Sequence, residues 1–379
     1  MYRNRDEDGM LLVLAAGVDA AVQPRRSVQP AANGEGGGQE QVVPVRMRQP
    51  RMFRRRTYFL DGLSDDEVVR RYRLSRPAIQ ELLNLVGEDL EPHTKRNKAL
   101  PGACKLLAVL HFLGSATFQP VTSLLNGMSQ PTFSRILRQV VEAIMKHSRR
   151  FIKFPDSAAE WQQVKHDFFL LGGMPDCLGA IDCTHVALAP PREGEEMFRN
   201  WKNFHSLNVQ VVCDSHLRIM SVNSAFPGSC NDSYILRQSA LFDKFQQGQM
   251  PEGWLVGDAG YGAQTWLMTP LKAPKTMAEQ RYNCAHRKIR NCTERLFGVW
   301  KSRFRCLSST GGKLLYAPTR VADLVIVCAV LHNLACKHGV PQDIDEELPP
   351  EIEGLPAGNG DSSDAGRRRR AHLIASYFT

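Results

Sequence analysis

Two short apolar runs in the second half of this chain each end on an aspartate. Gly179-Ala180-Ile181-Asp182 and Trp254-Leu255-Val256-Gly257-Asp258 read as buried strands closed by a carboxylate. A carboxylate at the end of a buried strand loses hydration, so it calls for a metal, a charge partner or a catalytic role. Two further acids follow the same order, Asp232 in Cys230-Asn231-Asp232-Ser233 and Glu294 in Cys292-Thr293-Glu294-Arg295. Oxygen ligands of this kind suit Mg²⁺ or Mn²⁺. If the four converge they can hold two ions, an arrangement that cuts phosphodiester bonds.

Each acid also has a blander reading. Asp232, after Asn231, could cap a helix. Asp258, before Ala259-Gly260, could close a turn. Glu294 could pair with Arg290 on an exposed helix face. Asp182 is the hardest to explain away, because Thr184-His185-Val186 continues its strand.

The periodicity around the acids alternates strand and helix. Strands are expected over 178–188, 208–213 and 219–225, the last two as a hairpin, with further strands at 254–256 and 267–271. Helices are expected over 233–245, 279–305 and 321–338. Ahead of these the chain reads as all helical. Ser64-Asp65-Asp66-Glu67 is a capping box opening a helix to about Arg73, and a second helix covers Arg76–Leu90. Three more follow over 105–116, 120–125 and from Ser129 onward. The last of these puts Phe133, Ile136, Leu137, Val140, Val141 and Ile144 on one face.

These elements give four regions: a disordered tail over 1–50, a helical region over 51–150, an α/β catalytic domain over 151–340, and a disordered tail over 341–379. The first tail contains the glycine-rich run 33–40. The last has eight acidic residues between Gln342 and Gly366 and then Arg367–Arg370.

The net charge of +9 favours a polyanionic partner such as nucleic acid. The helices over 105–144 resemble a helix-turn-helix, with Gln130, Thr132 and Arg135 nearest base edges and Arg138 on the same polar face. Any three-helix bundle shows the same apolar spacing. Lys301, Arg303 and Arg305 could track phosphates or could be a solvated helix end. The ten cysteines lack a disulfide-rich spacing and read as reduced thiols of an intracellular protein. Cys328, His332 and Cys336 lie at i, i+4 and i+8, but their helix is apolar throughout, which favours core packing over zinc. Cys183 and His185 read as core or supporting residues, with no second pair to complete a zinc tetrad. No apolar run reaches the length of a membrane span, and the charged start is a poor secretory signal, so no membrane partner is expected.

The motifs also form an ordered set. Gly179-Ala180-Ile181-Asp182-Cys183-Thr184-His185-Val186 is followed by His205-Ser206-Leu207-Asn208, by Phe226-Pro227-Gly228-Ser229 with Asn231-Asp232-Ser233, and by Gly257-Asp258-Ala259-Gly260-Tyr261. Tyr282-Asn283-Cys284-Ala285-His286 then leads to Glu294-Arg295-Leu296-Phe297-Gly298 and Leu331-His332-Asn333. On these residues the chain resembles the PIF/Harbinger transposases and the vertebrate nuclease lineage derived from them, over roughly Arg54 to Val340. The resemblance implies a DDE-type DNA endonuclease with a ribonuclease-H-like mixed sheet behind the helical region. It places a catalytic triad on Asp182, Asp258 and Glu294, with Asp232 a further metal ligand. It also implies a divalent cation, Mg²⁺ or Mn²⁺, DNA as partner, a Myb-like DNA-binding protein as accessory, a possible homo-oligomer, and the nucleus, with the cytoplasm as a second location. Arg54-Arg55-Arg56 and Arg367–Arg370 are candidate import or DNA-contact patches. Family members often carry Gly where this chain has Cys183. A domesticated copy that binds or assembles on DNA without cutting it is the alternative.

Overall fold

A computed structural model describes residues 60–92, 99–341 and 362–379. The expected N-terminal tail, the arginines from Arg46 to Arg56 and most of the acidic stretch after Gln342 lie outside the described residues.

The helical region begins with α1 (Asp65–Tyr72). Ser64 Oγ accepts from Glu67 N while the Glu67 carboxylate accepts from Ser64 N, so the capping box forms as read. α2 (Arg76–Leu90), α3 (Gly102–Ser115), α4 (Gln119–Leu125) and α5 (Gln130–Met145) follow. α5 is capped by Ser129 and tolerates Pro131 in its first turn, and its six apolar positions are all buried. A short α6 (Ser148–Phe151) leads to α7 (Ala158–Gly172). No expectation covered α7. Its sequence signal is a second capping box, Ser157 with Glu160, followed by the buried Trp161, Val164 and Phe168.

Five strands then build one mixed sheet: β1 (Cys177–Ala187), β2 (Ser206–Cys213), β3 (Ile219–Pro227), β4 (Trp254–Val256) and β5 (Leu267–Met268). Their order is β3-β2-β1-β4-β5. β1, β2 and β3 pair antiparallel, whereas β4 and β5 run parallel to β1. Both aspartate-bearing strands are therefore neighbours, with Ala180 opposite Val256. α8 (Glu195–Phe198) lies between β1 and β2. The single helix expected over 233–245 is two, α9 (Asp232–Arg237) and α10 (Ala240–Gln246). The break comes where Ser239 Oγ accepts from Phe242 N and starts a new helix.

α11 (Met277–Arg303) opens on a third capping box, Thr276 with Glu279, and packs across β1, β2 and β4. α12 (Pro318–Lys337) is long and apolar enough to cross a membrane, and most of it is buried inside the fold against β3, α5 and α6. His332 on α12 is fully buried, with Nε2 2.8 Å from Leu217 O and Nδ1 3.1 Å from Arg303. Burial and the Arg303 charge push its pKa down to about 3. The Cys328, His332 and Cys336 stripe is thus core packing.

The helical region and the sheet share one hydrophobic core. Asn333 Nδ2 donates to Phe151 O and Ile219 O, and Arg320 donates to Ser134 O. Packing does not divide near residue 150.

The C-terminal tail expectation is corrected for residues 362–379. α13 (Asp364–Tyr377) is a helix that buries Leu373, Ile374 and, just beyond it, Phe378. Arg370 donates to Thr269 O and Pro270 O, and Arg369 pairs with Glu252. The basic run thus serves docking as well as solvation, and the apolar residues behind it stabilise the contact.

Candidate active site

β1 carries Asp182 into the interior, where its residue is only 8 % exposed. Asp182 Oδ1 accepts from Cys183 N at 2.8 Å, and Oδ2 lies 3.4 Å from Thr293 Oγ1, a hydroxyl that donates to Arg290 O at 2.7 Å. β4 delivers Asp258 to the adjacent strand end. Gly257 permits this approach, since a Cβ there would meet Ile181 and Tyr261 at 3.0 Å. Asp258 Oδ1 accepts from Gly260 N at 2.9 Å, so the turn reading holds as well.

The helix-cap reading of Asp232 fails in an informative way. Asn231 takes the cap, accepting from Tyr234 N at 2.8 Å, and Asp232 becomes the first helical residue. Its Oδ1 instead accepts from Asn208 Nδ2 at 3.0 Å, and the same amide holds Cys230 O at 2.9 Å. Asn208 sits on β2 opposite His185, so the sheet fixes the loop that positions Asp232.

α11 is stapled along its first half. Tyr282 Oη donates to Thr269 O at 2.8 Å, and Asn283 exchanges two hydrogen bonds with the Leu271 backbone. His286 Nε2 lies 2.9 Å from Gly257 O, directly before Asp258. Burial holds the imidazole neutral, with its pKa lowered to about 4. These contacts bring Arg290 and Glu294 to the acids. Glu294 has a half-exposed side chain paired with Arg290 Nη1 at 2.8 Å, so the helix ion-pair reading is also met. Arg290 Nη2 lies 3.7 Å from Asp182 Oδ2 and joins the two carboxylates.

Three of the four acids share one electrostatic environment. Burial raises Asp182 to about 8; Arg290 opposes the shift, and the charges of Asp258 and Asp232 add to it. Burial raises Asp232 to about 6, against the Asn208 hydrogen bond, with Asp258 adding. Asp258 is raised by burial and held down by Arg290. Mutually repelling, desolvated carboxylates are a functional signature. Glu294 joins the set through Arg290.

The donors are of the chemical type that a hard divalent cation takes, three carboxylates plus Asn208 Oδ1, a buried oxygen with no hydrogen-bond partner. Among the described residues no three His, Cys, Asp or Glu side chains stand close enough to hold a metal as arranged.

Behind the acids, Tyr261 Oη is 3.2 Å from Cys183 Sγ and 3.5 Å from Gln210 Nε2. The Cys183 thiol also meets the Asp232 carboxylate, and His185 Nδ1 lies 3.0 Å from Ser206 Oγ. The residues that the sequence left without a role here are Asn208, Thr293 and His286, all of them inside quoted motifs; Arg290 was read only as an ion-pair partner of Glu294, and its reach to Asp182 is new.

The basic residues divide. Lys301 and Arg303 do not line a phosphate track. Lys301 is buried, with Nζ donating to His185 O at 3.2 Å. Arg303 is buried and donates to Val340 O and Pro341 O. Each satisfies carbonyls inside the fold, where a buried cation needs acceptors. Arg305 is exposed. On α5, Gln130, Arg135 and Arg138 are exposed and Thr132 is half-buried. Beside them α4 and the residue before it expose an apolar surface of Phe118, Val121, Leu124 and Leu125.

Residues 181–333 match the DDE superfamily endonuclease family. The protein named "Putative nuclease HARBI1" in Homo sapiens is 38% identical over 78% of this chain and 86% of its own length. Its Rattus norvegicus counterpart is 36% identical over 84% of this chain and 93% of its own. "Protein ALP1-like" of Arabidopsis thaliana is 26% identical over 74% of this chain and 73% of its own. No solved structure matches. The family and the relatives' names support a nuclease-type function, and the chain belongs to the PIF/Harbinger family of DDE superfamily endonucleases.

Proposed function

We propose that this protein is a metal-dependent DNA endonuclease of the DDE transposase type. The carrying observation is the gathering of Asp182, Asp232 and Asp258, from two strands and a helix start, into one desolvated, mutually repelling set, with Arg290 of α11 linking Asp182 to the outward-facing Glu294. The strand order β3-β2-β1-β4-β5, antiparallel on one side of β1 and parallel on the other, supports a ribonuclease-H-like reading of the catalytic fold.

Asp182, Asp232, Asp258 and Glu294 would hold Mg²⁺ or Mn²⁺. When bound, such ions activate the attacking water or 3′-hydroxyl and stabilise the leaving oxygen. The chain's own groups prepare that chemistry. Asn208 fixes Asp232, the Gly260 amide fixes Asp258, and the Cys183 amide fixes Asp182. His286 anchors α11 against the Asp258 strand end. Asp182, Asp258 and Glu294 are the proposed catalytic triad.

DNA is the proposed partner, approached by Gln130, Thr132, Arg135 and Arg138 on α5 in a helix-turn-helix-like mode, with Arg305 at a second contact. A second copy of the chain and a Myb-like protein belong to the same proposal. The apolar surface at α4 supports a protein contact there. Nuclear placement rests on the resemblance and the basic patches.

A binding module without cleavage is the second reading, favoured by the outward position of Glu294. Supercoiled plasmid separates the two, incubated with Mg²⁺, Mn²⁺ or EDTA and with wild type, Asp182→Ala or Glu294→Ala. Metal-dependent nicking lost in both variants carries the nuclease reading. Equal DNA binding by all three proteins with no nicking, even beside a Myb-like partner, sinks it.

A further inference from the structure

We infer that Arg290 is a built-in counter-cation that occupies the charge position of a divalent metal and holds Glu294 away from the acid set until the metal displaces it. The inference rests on the metal-site reading above. Arg290 sits one turn before Glu294 on α11 and contacts two acids from opposite sides, Nη1 on Glu294 at 2.8 Å and Nη2 on Asp182 at 3.7 Å. Its charge also favours ionisation of Asp232 and Asp258. One guanidinium thus serves all four acids.

Two buried polar atoms at this place lack partners: Arg290 Nε and Asn208 Oδ1. The site's hydrogen bonding is therefore incomplete with the guanidinium in it. A planar fork satisfies carboxylates at its Nη edge, and here its Nε finds nothing. Asn208 Oδ1 faces the same difficulty beside Asp232, and a hard cation is the species that accepts a carboxamide oxygen together with carboxylates.

Glu294 has a side chain 48 % exposed, pulled along the helix surface by its i−4 partner. While that pair stands, the fourth acid faces outward. Two cations cannot share the acids at close range without strong repulsion. A metal entering must drive Arg290 out toward solvent, and the same motion frees Glu294 to turn inward. A purely structural arginine has the opposite signature. If Arg290 merely fixes the acids, its removal loosens them and weakens metal binding.

The sign of that effect is the test. Mn²⁺ is titrated into DNA-free protein at one pH above neutrality, and free Mn²⁺ is read from its EPR signal. Wild type is compared with Arg290→Ala, Arg290→Gln, Glu294→Gln, Asp182→Asn and the Arg290→Ala/Glu294→Gln double variant. Thermal melts in EDTA establish which variants fold, and Arg290→Gln carries the comparison if Arg290→Ala does not.

The expected result is Mn²⁺ binding at least tenfold tighter without the guanidinium. Most of that gain disappears in the double variant, while Glu294→Gln alone changes little. Equal or weaker binding without the guanidinium, with wild-type binding intact and lost in Asp182→Asn, overturns the inference and leaves the metal site standing. No Mn²⁺ binding by any of the proteins overturns both.

Discussion

At the scale of single residues, Asp182 sets a conflict between stability and chemistry. An unfolded aspartate titrates near 4, whereas burial raises Asp182 to about 8 in the folded chain. The fold favours the neutral acid. Below about pH 4 both states are protonated and the group contributes no pH dependence. Between about 4 and 8 the unfolded chain releases a proton that the folded chain keeps, so stability falls as pH rises. Above about 8 the penalty is complete. Asp232, raised to about 6, adds to the lower part of this window, and the acids release their protons as a set. Each pH unit costs on the order of 1 kcal/mol per affected group. In EDTA, wild type should therefore lose melting temperature steadily from mildly acidic to alkaline pH. Asp182→Asn should show a shallower slope and melt higher at the alkaline end, by about 2 °C for each kcal/mol of penalty removed. A lower melting temperature for Asp182→Asn at alkaline pH would show that Asp182 is there for structure. Added Mn²⁺ should stabilise wild type and leave Asp182→Asn nearly unmoved, because only a protein that binds the ion gains by linkage.

At the scale of elements, local chemistry was legible and pairing was not. Ser64 with Glu67 marks α1, and the buried stripe from Phe133 to Ile144 marks α5, because capping and period act within a few residues. β1, β2, β3 and β4 were readable as apolar runs. That β4 inserts beside β1, with β5 outside it, depends on contacts far apart in sequence. Glu294 and its i−4 arginine were visible together, but the reach of Arg290 to Asp182 needed α11 laid over β1. α13 was misread because Arg367–Arg370 reads as a solvated run, while its buried residues are only Leu373, Ile374 and Phe378. This helix bears on the site. Ala263 N donates to Ser362 Oγ at 2.9 Å, and Ser363 N donates to Ala263 O at 2.9 Å, fixing the loop that begins at Asp258. Gly366 lies so close that a Cβ there would meet Ala263 O at 2.4 Å. Gly366→Val should cost about 1–3 kcal/mol by forcing the helix off. Amide hydrogen exchange should then speed up across 258–268 and stay unchanged in α5. Uniform acceleration across the protein, or none in that loop, would remove α13 from the account of how Asp258 is held.

At the scale of the whole molecule, the continuous core decides which basic residues remain for DNA. α12 runs between the helical region and β3, so the end of α11 is enclosed, and Lys301 and Arg303 face inward to carbonyls. In sequence they continue an amphipathic basic helix, and nothing local distinguishes a buried cation from a solvated one. The two classes respond differently to mutation. Arg303→Ala removes the donor to Val340 O and the partner of His332 Nδ1, both in buried residues, while Pro341 O beside them is open to solvent. It should destabilise the fold by about 2–4 kcal/mol, since breaking a buried charged hydrogen-bond set strands its acceptors. For protein still folded, DNA affinity and its salt dependence should be unchanged. Arg135 and Arg138 are exposed on α5, and their removal should leave the melting temperature within about 1 °C, as for surface changes generally. If α5 meets DNA, each substitution should lower affinity and reduce the slope of log affinity against log salt by about 1, the release of one condensed counterion. Fluorescence anisotropy of a labelled duplex across a salt series measures both quantities. A slope that falls for Arg303→Ala but not for Arg135→Ala or Arg138→Ala would move the DNA face from α5 to the end of α11, and the helical region would then serve the shared core and protein contact alone.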